Sequence, residues 1–193
     1  MLKHPIKFFI CLLILFSCLA CNKRKLGSHC PPNAMILSGV HDPSHLVRID
    51  SLLMIYASPI ELNSYNLNSK EWSFITDDVY QGNLPDWDQG DTAYWAPTVY
   101  QTINGDYRLY HSAVSDEENG RSRIGFANIS GIAPELKCDK TTDFVIESEG
   151  YGQPFAIDPA VFRDDSNRNW LVYGSHGPGI YITELDESSG LLK

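Results

Sequence analysis

The sequence predicts an all-β chain of the β-propeller type, built from small sheets repeated along its length. Three observations point that way. From Met35 onward, short apolar or aromatic runs alternate with turn residues, and no sustained 3.6-residue apolar stripe appears. Three segments resemble one another: His41-Asp42-Pro43-Ser44-His45-Leu46, Trp95-Ala96-Pro97-Thr98-Val99-Tyr100 and Ile157-Asp158-Pro159-Ala160-Val161-Phe162. Each is followed by a second strand-like run ending in Tyr56-Ala57-Ser58, Tyr110-His111-Ser112 or Tyr173-Gly174-Ser175, with Pro-to-Tyr offsets of 13, 13 and 14 residues. The prolines lie 54 and 62 residues apart, a period that suits blades of hairpin-connected strands. A blade cannot bury both faces alone; stacking blades around an axis buries them, with the first strand of each lining the channel. A β-sandwich fits the strand content but does not predict the matched offsets.

The first 21 residues read as an export signal. Lys3 and Lys7 form a basic start, and Phe8 to Leu19 is an apolar run of 12 residues, short for a membrane span. It ends in Ser17-Cys18-Leu19-Ala20-Cys21, which resembles a bacterial lipobox with Cys21 acylated; Cys18 also fits, as does a plain signal peptide. The reading is an exported, membrane-anchored lipoprotein of the periplasm or cell surface. Residues 22–34, with Gly27-Ser28 and Pro31-Pro32-Asn33, read as a tether, and residues 35–193 as the folded domain. Cleavage before Cys21 leaves 13 basic and 24 acidic residues, net −11, which argues against nucleic acid as a partner. Cys30 and Cys138 then remain, either as one exported disulfide or as two thiols.

Within the domain, the expected strands are Leu46–Ile49, Leu52–Ala57, Thr98–Thr102, Tyr107–Ser112, Ile124–Ile129, Phe144–Ile146, Ala160–Arg163, Trp170–Tyr173 and Ile180–Leu185. Asn104-Gly105 marks a tight hairpin. At the observed spacing the domain holds just under three blades, whereas a closed propeller typically has four or more. The sequence therefore reads as part of a longer protein or as an open array.

Asp42 and Asp158 fill the same slot of repeats one and three, and Ala96 fills it in repeat two. If that slot faces the axis, the two carboxylates share one end of the channel, where they suit acid–base work on a glycosidic bond. Singly, an Asp-Pro pair is also a turn initiator. Trp95, and Trp87 in a polar loop, offer flat faces for sugar rings, while Trp72 and Trp170 read as core.

In order, the segments His41-Asp42-Pro43, Trp95-Ala96-Pro97, Ser122-Arg123-Ile124-Gly125-Phe126-Ala127, Ala156-Ile157-Asp158-Pro159-Ala160-Val161-Phe162 and Trp170-Leu171-Val172-Tyr173-Gly174-Ser175 resemble glycoside hydrolase family 43, above all its arabinan endo-1,5-α-L-arabinosidases. The resemblance implies a five-bladed propeller and hydrolysis of arabinan or a related pentose polymer with inversion. It implies Asp42 as general base and Asp158 as the carboxylate that orients the acid and raises its pKa, since a nearby negative charge disfavours ionisation. It further implies substrate contact at Trp95, Phe155, Ala156, Ile157, Ser175 and His176. The family's proton donor is a Glu on a later blade. Glu184 and Glu187 are the only Glu residues after the Asp158 motif, and both read as structural. The chain departs from the family pattern at Thr98, Phe155 and His176-Gly177. Calcium, which the resemblance associates with full-length members through a downstream His, has no clustered ligand set here. Three readings follow: an enzyme of which this is a partial chain, a non-catalytic glycan-binding surface lipoprotein, and a truncated product.

Overall fold

Twelve strands and no helix appear in the described part of the chain, and every strand pair within its sheets is antiparallel. The structure is a computed structural model and describes residues 37, 39–88, 93–116, 121–130, 137–139, 141–150, 152–175 and 179–193. Cys18, Cys21, Cys30, the tether and His176 lie outside the described residues.

Three sheets follow one another along Gly39–Lys193. The first contains β1 (Val47–Ile49), β2 (Leu52–Ala57), β3 (Glu61–Asn66) and β4 (Glu71–Thr76). The second contains β5 (Ala93–Gln101), β6 (Tyr107–Asp116) and β7 (Arg121–Ser130); β8 (Lys137–Asp139) and β9 (Ile146–Glu149) pair with opposite halves of β7. The third contains β10 (Ala160–Arg163), β11 (Asn169–Tyr173) and β12 (Tyr181–Leu185).

Alternation along the middle sheet explains the stacking. Val99, Leu109, Ala127 and Ile129 face the first sheet and join Met54, Tyr56, Leu62, Val79 and Tyr80 in one core. Their sequence neighbours Tyr100, Tyr110 and Phe126, with Ile124 two residues before Phe126, face the other way and join Val161, Leu171, Tyr173 and Leu185 in a second core. A sheet apolar on both faces must be covered on both, and the flanking sheets supply the cover. The outer faces of the two flanking sheets are not so covered by described residues: Phe74 is 62% exposed on the first, Phe162 45% and Ile182 58% on the third.

Polar ties lock the second interface at the end away from the Asp-Pro segments. Arg108 donates to the carbonyls of Glu187 and Ser188 at 2.8 and 2.9 Å, and the Tyr110 hydroxyl donates to the Gly190 carbonyl at 3.1 Å. Glu187 accepts from the Ile103 N–H, Tyr100, Asn169 and Arg163. Burial alone would raise its pKa, but these donors and the Arg163 charge outweigh that and hold it below the usual range.

The expected strands at Leu52–Ala57 and Ala160–Arg163 keep their bounds, and the Asn104-Gly105 hairpin forms, with Gly105 at φ +90° and its N–H on the Thr102 carbonyl. Three strands escape sequence reading: β3, β4 and β8. Strand β3 is ELNSYN, whose polar Asn63 and Ser64 are buried at the centre of its sheet, so its composition hides its place. The Phe144–Ile146 strand shifts to Ile146–Glu149, because Arg121–Ile124 of β7 pairs there. The tryptophan assignments also change. Trp87 is buried, 8% exposed, and is therefore no sugar platform. Trp72 and Trp170 are only half-buried, and the Trp170 indole donates to Asp164 in the β10–β11 hairpin. Cys138 is a free thiol inside the first core, where burial pushes its pKa up to about 12.

Candidate active site

Asp42 precedes β1, Ala96 lies within β5 and Asp158 precedes β10, so each slot is at or before the first strand of its sheet, and the slot before proline has positive φ in all three. Asp42, Ala96 and Asp158 have φ of +45°, +45° and +54°. That left-handed region costs an L-residue roughly 1–2 kcal/mol; Asp tolerates it better than Ala through local side-chain bonding. In the middle sheet the slot also interrupts the ladder, whose register slips between Trp95 and Thr98. Strain repeated at one place on three sheets marks it as a built feature. Ala96→Gly is expected to relieve the strain at some cost in unfolded-chain entropy, for a net gain of about 0.5–1 kcal/mol in urea denaturation.

Serines tie the second and third slots each to the sheet before it. The Ser58 hydroxyl donates to Asp42 Oδ2 at 3.0 Å and accepts the Ala96 N–H at 2.8 Å. Ser112, fully buried opposite Trp95 in the ladder, accepts the Asp158 N–H at 2.9 Å. Sequence reading noticed these serines only as repeat markers; their recurrence after the Tyr of each repeat was the available signal. The third repeat corrects the alignment. The Ser58 N–H pairs with the His41 carbonyl at 2.9 Å, and its counterpart on the third sheet is Gly174, whose N–H pairs with the Ile157 carbonyl at 2.8 Å. Val172 rather than Tyr173 is then the partner of the residue after proline, Ala160, as Tyr110 is of Thr98. Ser175 falls one residue beyond the tie position and is half-buried. Gly174 is required where it stands: it has φ +95°, and a Cβ would lie 2.5 Å from the Gly179 carbonyl oxygen.

A cavity of about 480 Å³ opens between the first two sheets, lined by His41, Asp42, Ser58, Pro59, Ala93, Tyr94 and Trp95. Asp42 is exposed there and the two aromatic rings are half-buried. Trp95 packs against Val114, Phe155 and Ile157, so these buried side chains support its ring from below. Ala156 is fully buried in the second core. Asp158 is exposed and lies outside the lining of this cavity, linked to it through Ser112 and its ladder partner Trp95. No described Glu lines the cavity. No three His, Cys, Asp or Glu residues among those described converge on a metal position, and no chemical step is routed through the calcium that the resemblance associates with full-length members.

Behind the cavity wall, His111 is fully buried, with Tyr94 and Tyr80 edge-on and Trp87 stacked at 6.0 Å. Its Nδ1 faces the Ser112 carbonyl at 3.3 Å, which can only accept, so Nδ1 carries the proton and Nε2 accepts from the Tyr80 hydroxyl. Desolvation lowers its pKa from 6.5 to about 4, against smaller opposing effects of the Ser112 carbonyl and Asp88. A depressed folded pKa means that the unfolded chain binds the proton first. The stability present above pH 6.5 is therefore lost as pH falls from 6.5 to about 4. The loss is of order 3 kcal/mol, measurable as a drop in the urea midpoint that His111→Phe should largely remove.

The stacked antiparallel sheets, each with a left-handed slot at or before its first strand, define a set of propeller-type blades, and a carboxylate stands beside an aromatic-walled cavity. Residues 35–193 match the model of glycosyl hydrolases family 43, and the chain belongs to that family. It is similar to the extracellular endo-alpha-(1->5)-L-arabinanase of Thermotoga petrophila, 27% identical over 177 residues, covering 79% of this chain and 37% of the relative. A Bacillus subtilis counterpart, extracellular endo-alpha-(1->5)-L-arabinanase 2, is 28% identical over 172 residues, covering 78% of this chain and 36% of the relative. Among solved structures, a GH43 endo-arabinanase from Bacillus licheniformis superposes with a TM-score of 0.66 at 26% identity, over 80% of this chain and 53% of that one. The fold is thus of the five-bladed propeller type, with three sheets and no closed ring among the described residues. The chain spans little more than a third of the length of these two curated relatives.

Proposed function

We propose that this chain supplies the water-activating half of an inverting glycoside hydrolase acting on arabinan or a related pentose polymer. The observation that carries the reading is the cavity in which the strained, serine-held Asp42 faces the rings of Tyr94 and Trp95. A carboxylate acting as base takes a proton from water as the water attacks the anomeric carbon, and flat rings bind the C–H faces of a sugar. Asp158, one sheet further on, serves to orient the proton donor and keep it protonated. That donor, a carboxylic acid about 6.5–9.5 Å from the base in inverting enzymes, comes from outside the described residues. Relatives named as arabinanases support the substrate class. Export and lipid attachment at Cys21 belong to the same proposal, and the relatives named as extracellular support export.

The test separates binding from cleavage. The purified chain is expected to bind arabino-oligosaccharides, with NMR shifts centred on Trp95, and to release little or no product from linear arabinan. Strong product release would contradict the assignment of the acid to another segment. Absence of binding at Trp95 would remove the substrate reading. A non-catalytic glycan-binding role is the second reading, favoured by the aromatic cavity with no described Glu; it predicts that Asp42→Asn leaves oligosaccharide affinity unchanged and that no added segment confers turnover.

A further inference from the structure

We propose that Ser58 is the positioning residue of Asp42, and that its hydroxyl couples the carboxylate's orientation to the packing of the second sheet on the first. The catalytic meaning of this rests on the reading of Asp42 as general base; the positioning itself does not.

Three observations support it. First, both capacities of the hydroxyl are used in one direction: the oxygen accepts the Ala96 N–H at 2.8 Å, and the proton goes to Asp42 Oδ2 at 3.0 Å. An amide N–H can only donate, so it fixes the Ser58 oxygen as acceptor and leaves the hydroxyl proton to the carboxylate. Second, Ser58 is anchored by its own backbone, whose N–H bonds the His41 carbonyl, the residue just before Asp42. The short closed path from His41 through Ser58 to Asp42 restricts the carboxylate to one rotamer while Oδ1 stays available to water. Third, Ser112 provides an internal control. Its hydroxyl oxygen accepts the slot N–H of the third sheet in the same way, at 2.9 Å, yet the slot of its own sheet holds Ala96, which has no carboxylate to receive a hydroxyl proton. A seam between sheets therefore needs only the acceptor half of the serine; the donor half at Ser58 is the addition that serves Asp42.

This arrangement predicts that the side chain and the seam are separable. Three-bond N–Cγ and C′–Cγ couplings of Asp42, measured by NMR on the 193-residue chain, report its χ1 rotamer without requiring turnover. The unmodified chain is expected to show the couplings of a single rotamer. Ser58→Ala should move both towards rotamer-averaged values, and Ser58→Thr, which keeps the hydroxyl, should hold them. Ser112→Ala should lower the thermal midpoint about as much as Ser58→Ala and leave the Asp42 couplings unchanged. Should Ser58→Ala fail to fold, Ser58→Cys, of similar size but a weak donor, takes its place with the same expected averaging. Unchanged couplings in Ser58→Ala or Ser58→Cys, averaging already present in the unmodified chain, or equal averaging in Ser112→Ala would each overturn the proposal. If the couplings respond as expected but Asp42→Asn proves catalytically silent, the base assignment falls and the positioning role stands.

Discussion

Asp42→Asn is expected to lower turnover of linear arabinan by about 10²–10⁴-fold while leaving the fold intact. The parent for this comparison is a chimera in which residues 39–193 replace the matched segment of the Bacillus subtilis relative. The size of the effect follows from what the substitution removes. The amide has nearly the shape of the carboxylate and can still accept the Ser58 hydroxyl at the position now held by Oδ2. Asn also tolerates the left-handed backbone that Asp42 adopts at φ +45°. What it cannot do is take a proton from water. Binding through Tyr94 and Trp95 should therefore persist, and the loss should appear in kcat with KM little changed. Near-parental kcat would refute the base assignment, because no other described carboxylate lines that cavity.

Gly125→Ala is expected to cost about 3 kcal/mol and lower the thermal midpoint by roughly 10 °C, read by calorimetry. Gly125 lies in β7, where a Cβ would stand 2.0 Å from Trp87 Cζ2. A single methyl therefore evicts an indole that is 8% exposed, stacked on His111 and edge-on to Phe144 at 6.5 Å. It would also break the indole N–H bond to Thr141 at 3.3 Å and disturb the Trp87 carbonyl that accepts from Arg123. The strand backbone has little freedom to shift, because Gly125 pairs with His111 on one side and its neighbour Ile124 pairs with Ile146 on the other. Removing the indole should relieve the clash, so Gly125→Ala combined with Trp87→Ala should cost less than the sum of the two single changes. Strict additivity would mean that the two residues do not meet.

The motif Ser122-Arg123-Ile124-Gly125-Phe126-Ala127 was legible as part of a family pattern before its reason was. Its apolar residues alternate so that Ile124 and Phe126 enter the second core and Ala127 the first, which a period of two dictates. The space that requires Gly125 belongs to Trp87, 38 residues earlier, in a loop whose polar neighbours suggested exposure. Strand β3 shows the same limit from the other side. Its buried Asn63 donates to Glu61 and its Ser64 lies between two paired strands, so neighbours replace the water their polar groups would otherwise need. Sequence alone does not show those neighbours.

Two aspartates in matching slots, the strand period and the recurring Tyr-x-Ser ending were determined by the linear chain, because local backbone geometry and side-chain alternation are written in spacing. The same spacing misplaced Ser175 by one residue, since only cross-strand pairing shows that Gly174 occupies the tie position. Tertiary structure alone decided that Asp42 opens on a cavity with Tyr94 and Trp95, that Ser58 holds it, and that His111 is sealed behind the wall. Each of these depends on the distance between sheets folded from segments far apart in the chain. That distance is set by how the side chains of two faces fill the space between them, and no local pattern encodes it.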